Sequence, residues 1–573
     1  MPDILDDEPI FAVAALPVAA VEEPVATAPV LEIALDDSAV IDVVYLVDIT
    51  SYAPGVAIEG AAEDLDAFPV AALPVSAFDE ATTGAAPVVL HFSDRGFTSE
   101  PDDDPADTHW ESRVTEPLSI MRALPITPDA DRRVLLQVGQ ITLINSDRAL
   151  DDVVRNHAVD GREVSVKIGA PHVRLAEFQT ILDATAGNWR LADDGSVALD
   201  VRDAAWEMDA PAQPNLYGGT GGLDGTGELE GRPKPLAFGE CLNAPLVLLD
   251  PVNLIYQAHD GALDAVTAAY DRGLALTFEG DVADITAAVV SAGHFKVQKS
   301  GGYIRLGSIP QGIVTADLRG DKAWGVYVSS AAKVAFRIAH DRGGLPDDRF
   351  ALGTFEALHA KQPAPIGVYQ GPEVATLGDL LDAVLGGICG WWGPNQVNKI
   401  EVGRVDRPAA EPLWWIDESD ILDFNLLEPP ATISPPVWRM RVGYQRNFTP
   451  QLTDIAVGVA QARRQFLANE YRYATSSDIA LTVAHRRAQD VTRPALFAQK
   501  ADAAAEAERQ RVLYAGGLQL ARIRFKHQGF LVPLNSTGHV TYYRYGLAGG
   551  RNVVVVGKGI TASRNESTID ILF

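Results

Sequence analysis

The residues able to do chemistry are numerous in this 573-residue chain, but their spacing forms no recognisable reaction centre. Eleven histidines are present, among them His109, His157, His259, His294, His340, His359, His485, His527 and His539. No two make the i, i+4 pair with an adjacent Glu that a zinc hydrolase needs. No serine sits in a Gly-x-Ser-x-Gly elbow. Asp102, Asp103, Asp104 and Asp107 lack the alternating ligand spacing and closing Glu of a calcium loop, and read as a solvated acidic loop. The glycine-dense stretch Gly218 to Gly227 is followed by Glu228, where a phosphate loop requires Lys and a hydroxyl. Carboxylate pairs for glycoside hydrolysis are set by fold and not by spacing, so the sequence leaves them open. No catalytic, cofactor-binding or metal-ligating set is assigned.

Trp391-Trp392 and Trp414-Trp415 are the other conspicuous groups. Adjacent residues of a strand point to opposite faces, so at most one indole of each pair is expected in a core. The other needs a second surface to cover it. A subunit interface is the preferred reading, ahead of carbohydrate stacking.

The elements that must carry these residues are mostly strands. Val134, Leu136, Val138, Ile141 and Leu143 alternate, with Gly139 where a bulge would fit, and Val164, Val166 and Ile168 repeat the period after the turn Asp160-Gly161. Leu150, Val153, Val154 and Ala158 between them fall on one helical face. Val43 to Tyr52 and Pro87 to Ser99 read as paired strands separated by an insertion near 54–86. Helices are expected at Leu175 to Ala184, Val282 to Val290, Leu377 to Ile388 and Ala501 to Tyr514. A hairpin is expected at 294–308, turning at Gly301-Gly302. FAVAALPVAAVEE from Phe11 recurs as FPVAALPVSAFDE from Phe68, and reads as similar edge segments or as compositional coincidence.

The fold class is therefore mainly β with minor α, in several domains. The limits expected are an extended arm at 1–40, a first β-rich domain at 41–215, a flexible glycine-rich connector with a second β-rich domain at 216–330, a middle α+β domain at 331–440, and a helix-plus-barrel segment at 441–573. Net charge is −30, which opposes wrapping of nucleic acid and adsorption to anionic membranes. Cys241 and Cys389 lie too far apart in sequence for a paired-cysteine zinc site and read as small buried apolar residues. No segment reaches the length of a membrane span, so no direct membrane anchor is expected.

Several stretches together resemble the baseplate hub or tail-tip proteins of long-tailed bacteriophages and related prophage tails. They are YLVDITSYAPG with VVLHFSDRGFTS, GQITLINSDRALDDVV with DGREVSVKIG, GRPKPLAFGECLNAPLVLLDPVNLIYQ, GGYIRLGSIPQGIVTADLRGD, LLDAVLGGICGWWGPNQVNKIEVGRV, and the C-terminal block from Ala503. The resemblance spans most of the chain after residue 40. It implies β-barrel, tube-like domains with peripheral α+β domains and a homotrimeric hub at the distal end of a virion tail, assembled in the bacterial host cytoplasm. The implied partners are the distal tail or tube ring protein, the tape measure protein and tail fibres, with viral DNA passing an acidic lumen without specific binding. One departure is Arg148, where similar proteins have glycine, so that the left-handed geometry of that turn is not expected to persist. The competing readings are a receptor-binding tip or fibre protein that holds cell-surface glycan, and a cell-wall hydrolase.

Overall fold

A computed structural model describes residues 43–52, 87–117, 119–127, 132–134, 136–192, 194–431, 434–516, 518–525, 532–562 and 566–573. The arm, both copies of the near repeat and the insertion near 54–86 lie outside the described residues. The chain is mainly β and multidomain, and its sheets include a half-barrel.

The N-terminal sheet has nine strands. Val44–Ser51 is paired on one side with Val88–Ser93 and on the other with Glu163–Gly169, as the alternating apolar residues require. Tyr45, Val47, Ile49, Val164, Val166, Leu182 and Leu199 form its core. The helix Asp151–Asn156 is shorter than expected. Leu150 is buried and Val153 and Val154 half-buried, but Ala158 is exposed beyond the helix end and Val159 fills the core in its place. Leu175 to Ala184 is not a helix: only Leu175–Glu177 makes a 3₁₀ turn, and Gln179–Leu191 is a strand. There the two-residue alternation of Leu182, Ala184 and Ala186 with Asp183 and Thr185, closed by pairing to Glu163–Gly169, outweighs local helical preference.

Gly139 does more than bulge. The strand before it, Leu136–Val138, pairs with Ser119–Ala123, whereas the strand after it, Gln140–Leu143, belongs to the nine-stranded sheet. Ser119–Ala123 in turn pairs with Arg551–Thr561 of the C-terminal sheet. The chain thus changes sheets at a residue whose Cβ would come within 3.0 Å of the Ser119 Cβ, and its N–H donates to the Ser119 carbonyl at 2.6 Å. First and last thirds of the chain share one ladder across the limits drawn from sequence.

Between them, two five-stranded sheets enclose Cys241, Tyr256, Phe295, Val297, Ile304 and Leu318. The expected hairpin is present as His294–Gln298 and Tyr303–Leu306, with Gly302 left-handed at φ 66° and packed on the His259 backbone. Residues 282–290 form a loop and not a helix; Ile285 alone is fully buried there, and Gln298 and Arg305 bind its backbone. The glycine-rich stretch is an ordered loop and not a free connector. Asp224 accepts from Gly218 N and Thr220 Oγ1, while Tyr217 and Leu229 pack on Val247 and Leu249.

The largest core joins the helices Ala331–Arg337, Leu352–Lys361, Leu377–Gly386 and Lys500–Tyr514 to the strand Gly390–Pro394. Thr376 caps the third helix: its hydroxyl accepts from Asp379 N while the Asp379 carboxylate accepts from Thr376 N.

Candidate functional site

The tryptophan pairs separate sharply. Trp391 and Trp392 are 3% and 1% exposed, both inside the chain and not at a surface. The strand that carries them is covered on both faces. Trp392 donates its indole N–H to Asp382 Oδ1 at 2.6 Å, with the Arg133 guanidinium 5.5 Å from its ring centroid. Trp391 lies over Gly403 of the paired strand, where a Cβ would come within 2.5 Å of the ring. The expectation that one member of this pair needs another subunit is corrected by the glycine opposite it. No signal confined to the Trp-Trp dipeptide reveals that glycine.

Trp414 and Trp415 follow the expected alternation. Trp414 is half-buried, its indole donating to Ser536 Oγ at 2.9 Å above Gly538, while Trp415 is 65% exposed. Both lie on Trp414–Ile416, an edge strand parallel to Thr537–Val540. The opposite edge of the same sheet, Ile421–Leu427, carries exposed Leu422 and Leu426 around Phe424. Phe424 stacks on Tyr542 at 4.5 Å and Tyr545 at 5.4 Å, beside exposed Tyr543. Among the described residues, the C-terminal sheet therefore presents two unpaired edges with apolar side chains, a surface suited to docking.

The histidine–carboxylate contacts have structural partners on every side. Ser51 Oγ lies 2.9 Å from His157 Nδ1 but donates to the Val88 carbonyl, so the imidazole donates to it and does not activate it. Asp48 accepts from His91, Trp110 and Lys167. Burial acts to raise its carboxyl, yet these partners hold it below the usual carboxylate range. His259 is fully buried, accepts from Ala237 N, and faces Asp321, which also binds Arg337. Burial lowers the His259 basicity, so the ring serves as a neutral structural bridge.

Asp103 is buried and, with Glu100 and Asp102, converges on Arg174. A cation is thus supplied to the acidic loop by the chain itself. A depression of about 470 Å³ lined by His109, Glu111, Ser112, Arg113 and Asp147 has its one guanidinium clamped by two carboxylates. Cys241 and Cys389 are buried thiols; Arg493 Nη1 donates to Cys389 Sγ at 2.7 Å. No described helix is long and apolar enough to cross a membrane.

No protein-family model and no curated protein matches the chain. Among solved structures, it is similar to a tail protein from Neisseria meningitidis MC58, at 9% identity and TM-score 0.35, over 81% of this chain and 93% of that one. It is also similar to the 43 kDa tail protein of prophage MuSo2 from Shewanella oneidensis, at 9% identity and TM-score 0.34, over 79% and 92%. A chain of the native gene transfer agent virion aligns at 9% identity and TM-score 0.36, over 60% and 84%.

Proposed function

We propose that the chain is a structural, non-catalytic part of a phage-like tail: a baseplate hub that organises the distal tip, joins the tail tube to fibres and contributes to the DNA exit channel. The observation that supports this best is the ladder from Ser119–Ala123 to Arg551–Thr561, which ties two β-rich bodies of one chain into a continuous frame. A ring element needs that stiffness, because loosely tethered domains would not hold a channel open. Three copies are proposed to build the hub, each using the domains at 41–215, 216–330, 331–440 and 441–573 and the arm at 1–40. Trp414 and Trp415 sit on the edge that meets a neighbour, the tube or distal tail ring protein, the tape measure protein or a fibre. DNA slides past an acidic lumen without specific binding.

Gold-tagged antibody against the chain, imaged on particles by electron microscopy, tests the reading. Label at the tail tip is expected, or label appearing only after disruption if the hub is enclosed. Absence from disrupted particles overturns it.

Exposed Trp415 and Tyr543 also support a second reading, a receptor-binding tip that stacks on cell-surface glycan. Saturable binding of the isolated chain on a glycan array would favour it over the hub.

A further inference from the structure

The charge of this chain is distributed unevenly. Residues 436–499 hold nine arginines, no lysine and four acids, so this segment carries +5 in a chain of net −30 and the remaining residues carry −35. It folds as a three-stranded sheet, with Val437–Tyr444 central between Arg472–Ser477 and Gln489–Phe497. The helix Lys500–Tyr514 covers one face, against Met440, Val442 and Ala474. No described element covers the other face.

Alternation places Arg439 and Arg441 at the centre of that face, between Tyr473 and Thr475 on one side and Asp490 and Thr492 on the other. The two guanidiniums share the single carboxylate of Asp490, which leaves an excess positive charge. The excursion between the outer strands adds exposed Arg486 and Arg487, neither of which has an ion-pair partner among the described residues. Beside them, Ile479 and Val483 are 68% and 84% exposed, one turn apart, the first capping and the second within the short helix Ala480–Ala484. Apolar side chains rimmed by arginine, without lysine, are the composition of a protein interface.

We propose that this arginine face docks onto the acidic surface of a second copy of the same chain, head to tail. Four arginines, Arg439, Arg441, Arg486 and Arg487, against the one carboxylate of Asp490 are complementary to the net-acidic remainder of a second copy, and a heterologous contact of this kind closes into a ring when its rotation permits. Duplex DNA is the weaker occupant, since the rest of the chain repels phosphate and Ile479 and Val483 have no use on a backbone. The inference rests on the hub reading only for the role of the ring.

The test is sedimentation of the full chain with Arg486→Glu/Arg487→Glu, with Val483→Ser as a second variant that leaves charge untouched. Arg155→Glu, on the exposed helix of the first sheet, is the control. Wild type is expected to self-associate at low salt, and about tenfold more weakly between about 0.05 and 0.5 M NaCl. Both variants are expected to weaken association by about tenfold or more, the control leaving it unchanged. Equal association of wild type and variants overturns the inference, as does a wild type that stays monomeric. So does a wild type that binds a short fluorescein-labelled duplex through Arg486 and Arg487 without self-associating. Gold at the tail tip together with unaltered association of the variants removes this contact and leaves the hub reading standing; variant-sensitive association without any particle labelling does the reverse.

Discussion

At the scale of the residue, Arg148 shows how a turn survives the loss of its expected glycine. Its φ is 61°, left-handed despite the side chain. The turn is held by Asn145, whose carbonyl accepts from Arg148 N, whose side-chain Oδ1 accepts from Leu150 N, and whose Nδ2 donates to Asp151. Neighbouring contacts therefore impose a conformation that costs an L-residue about 1–2 kcal/mol. Arg148→Gly is expected to raise stability by about 1 kcal/mol in urea titration, because the strain removed exceeds the added freedom of the unfolded chain.

Lys558 is the clearest titratable strain. Its ammonium reaches Gln396 Oε1 at 2.8 Å and the Val532 carbonyl, opposite Arg122 on the paired strand. Burial pushes its pKa down to about 7; Arg122 adds repulsion and Glu401 opposes it. The unfolded side chain titrates near 10.4, so between about pH 7 and 10.4 the unfolded state binds more protons and folding stability rises with pH. The slope is at most about 1.4 kcal/mol per pH unit, and the penalty is fully present below pH 7. Lys558→Met is expected to flatten this dependence, read from urea titrations across that range.

At the scale of the element, the two tryptophan strands differ in what lies opposite them. Gly390–Pro394 is sealed by a helix, a glycine and the 132–134 segment, with Val134 N donating to the Trp392 carbonyl at 2.6 Å. Trp392→Ala is expected to cost about 3–5 kcal/mol in the isolated chain, since it opens a cavity and removes the indole donor to the Asp382 carboxylate. Trp415→Ala is expected to change stability by no more than about 0.5 kcal/mol. Its effect belongs to association, and sedimentation of the same variant reads it.

At the scale of the whole molecule, the seam near Lys558 joins three parts of the chain. Arg122 comes from Ser119–Ala123, Glu401 from the strand Ile400–Arg404 and Lys558 from Arg551–Thr561, and Arg122 pairs with Glu401 at 2.5 Å with its side chain 3% exposed. Asp183 N also donates to the Gln396 carbonyl at 2.8 Å, so the 395–399 loop touches the first sheet. Breaking a buried pair by removing one partner costs about 3–5 kcal/mol. Glu401→Gln is therefore expected to lower the calorimetric unfolding midpoint, because Arg122 and Lys558 then face each other on the ladder without their carboxylate.

The features legible from residue types alone are local and periodic. The Val44–Ser51 and Glu163–Gly169 strands, the 294–306 hairpin and the helices at 377 and 500 were legible because period and turn chemistry act within a few residues. The burial of both cysteines followed from composition alone. Tertiary structure decided the rest. Gln179–Leu191 became a strand because its neighbour offered a ladder, and Arg148 turned left-handed because Asn145 held the turn. Trp391 entered the core because Gly403 left room beside it, and Gly139 became a junction because two sheets met there. In each case the deciding partner lies outside the local pattern or makes a specific contact that residue type alone does not specify. The charge asymmetry could be counted in the sequence, but only the fold placed Arg439, Arg441, Arg486 and Arg487 around one sheet face, since a helix covers the opposite face and no described element covers this one.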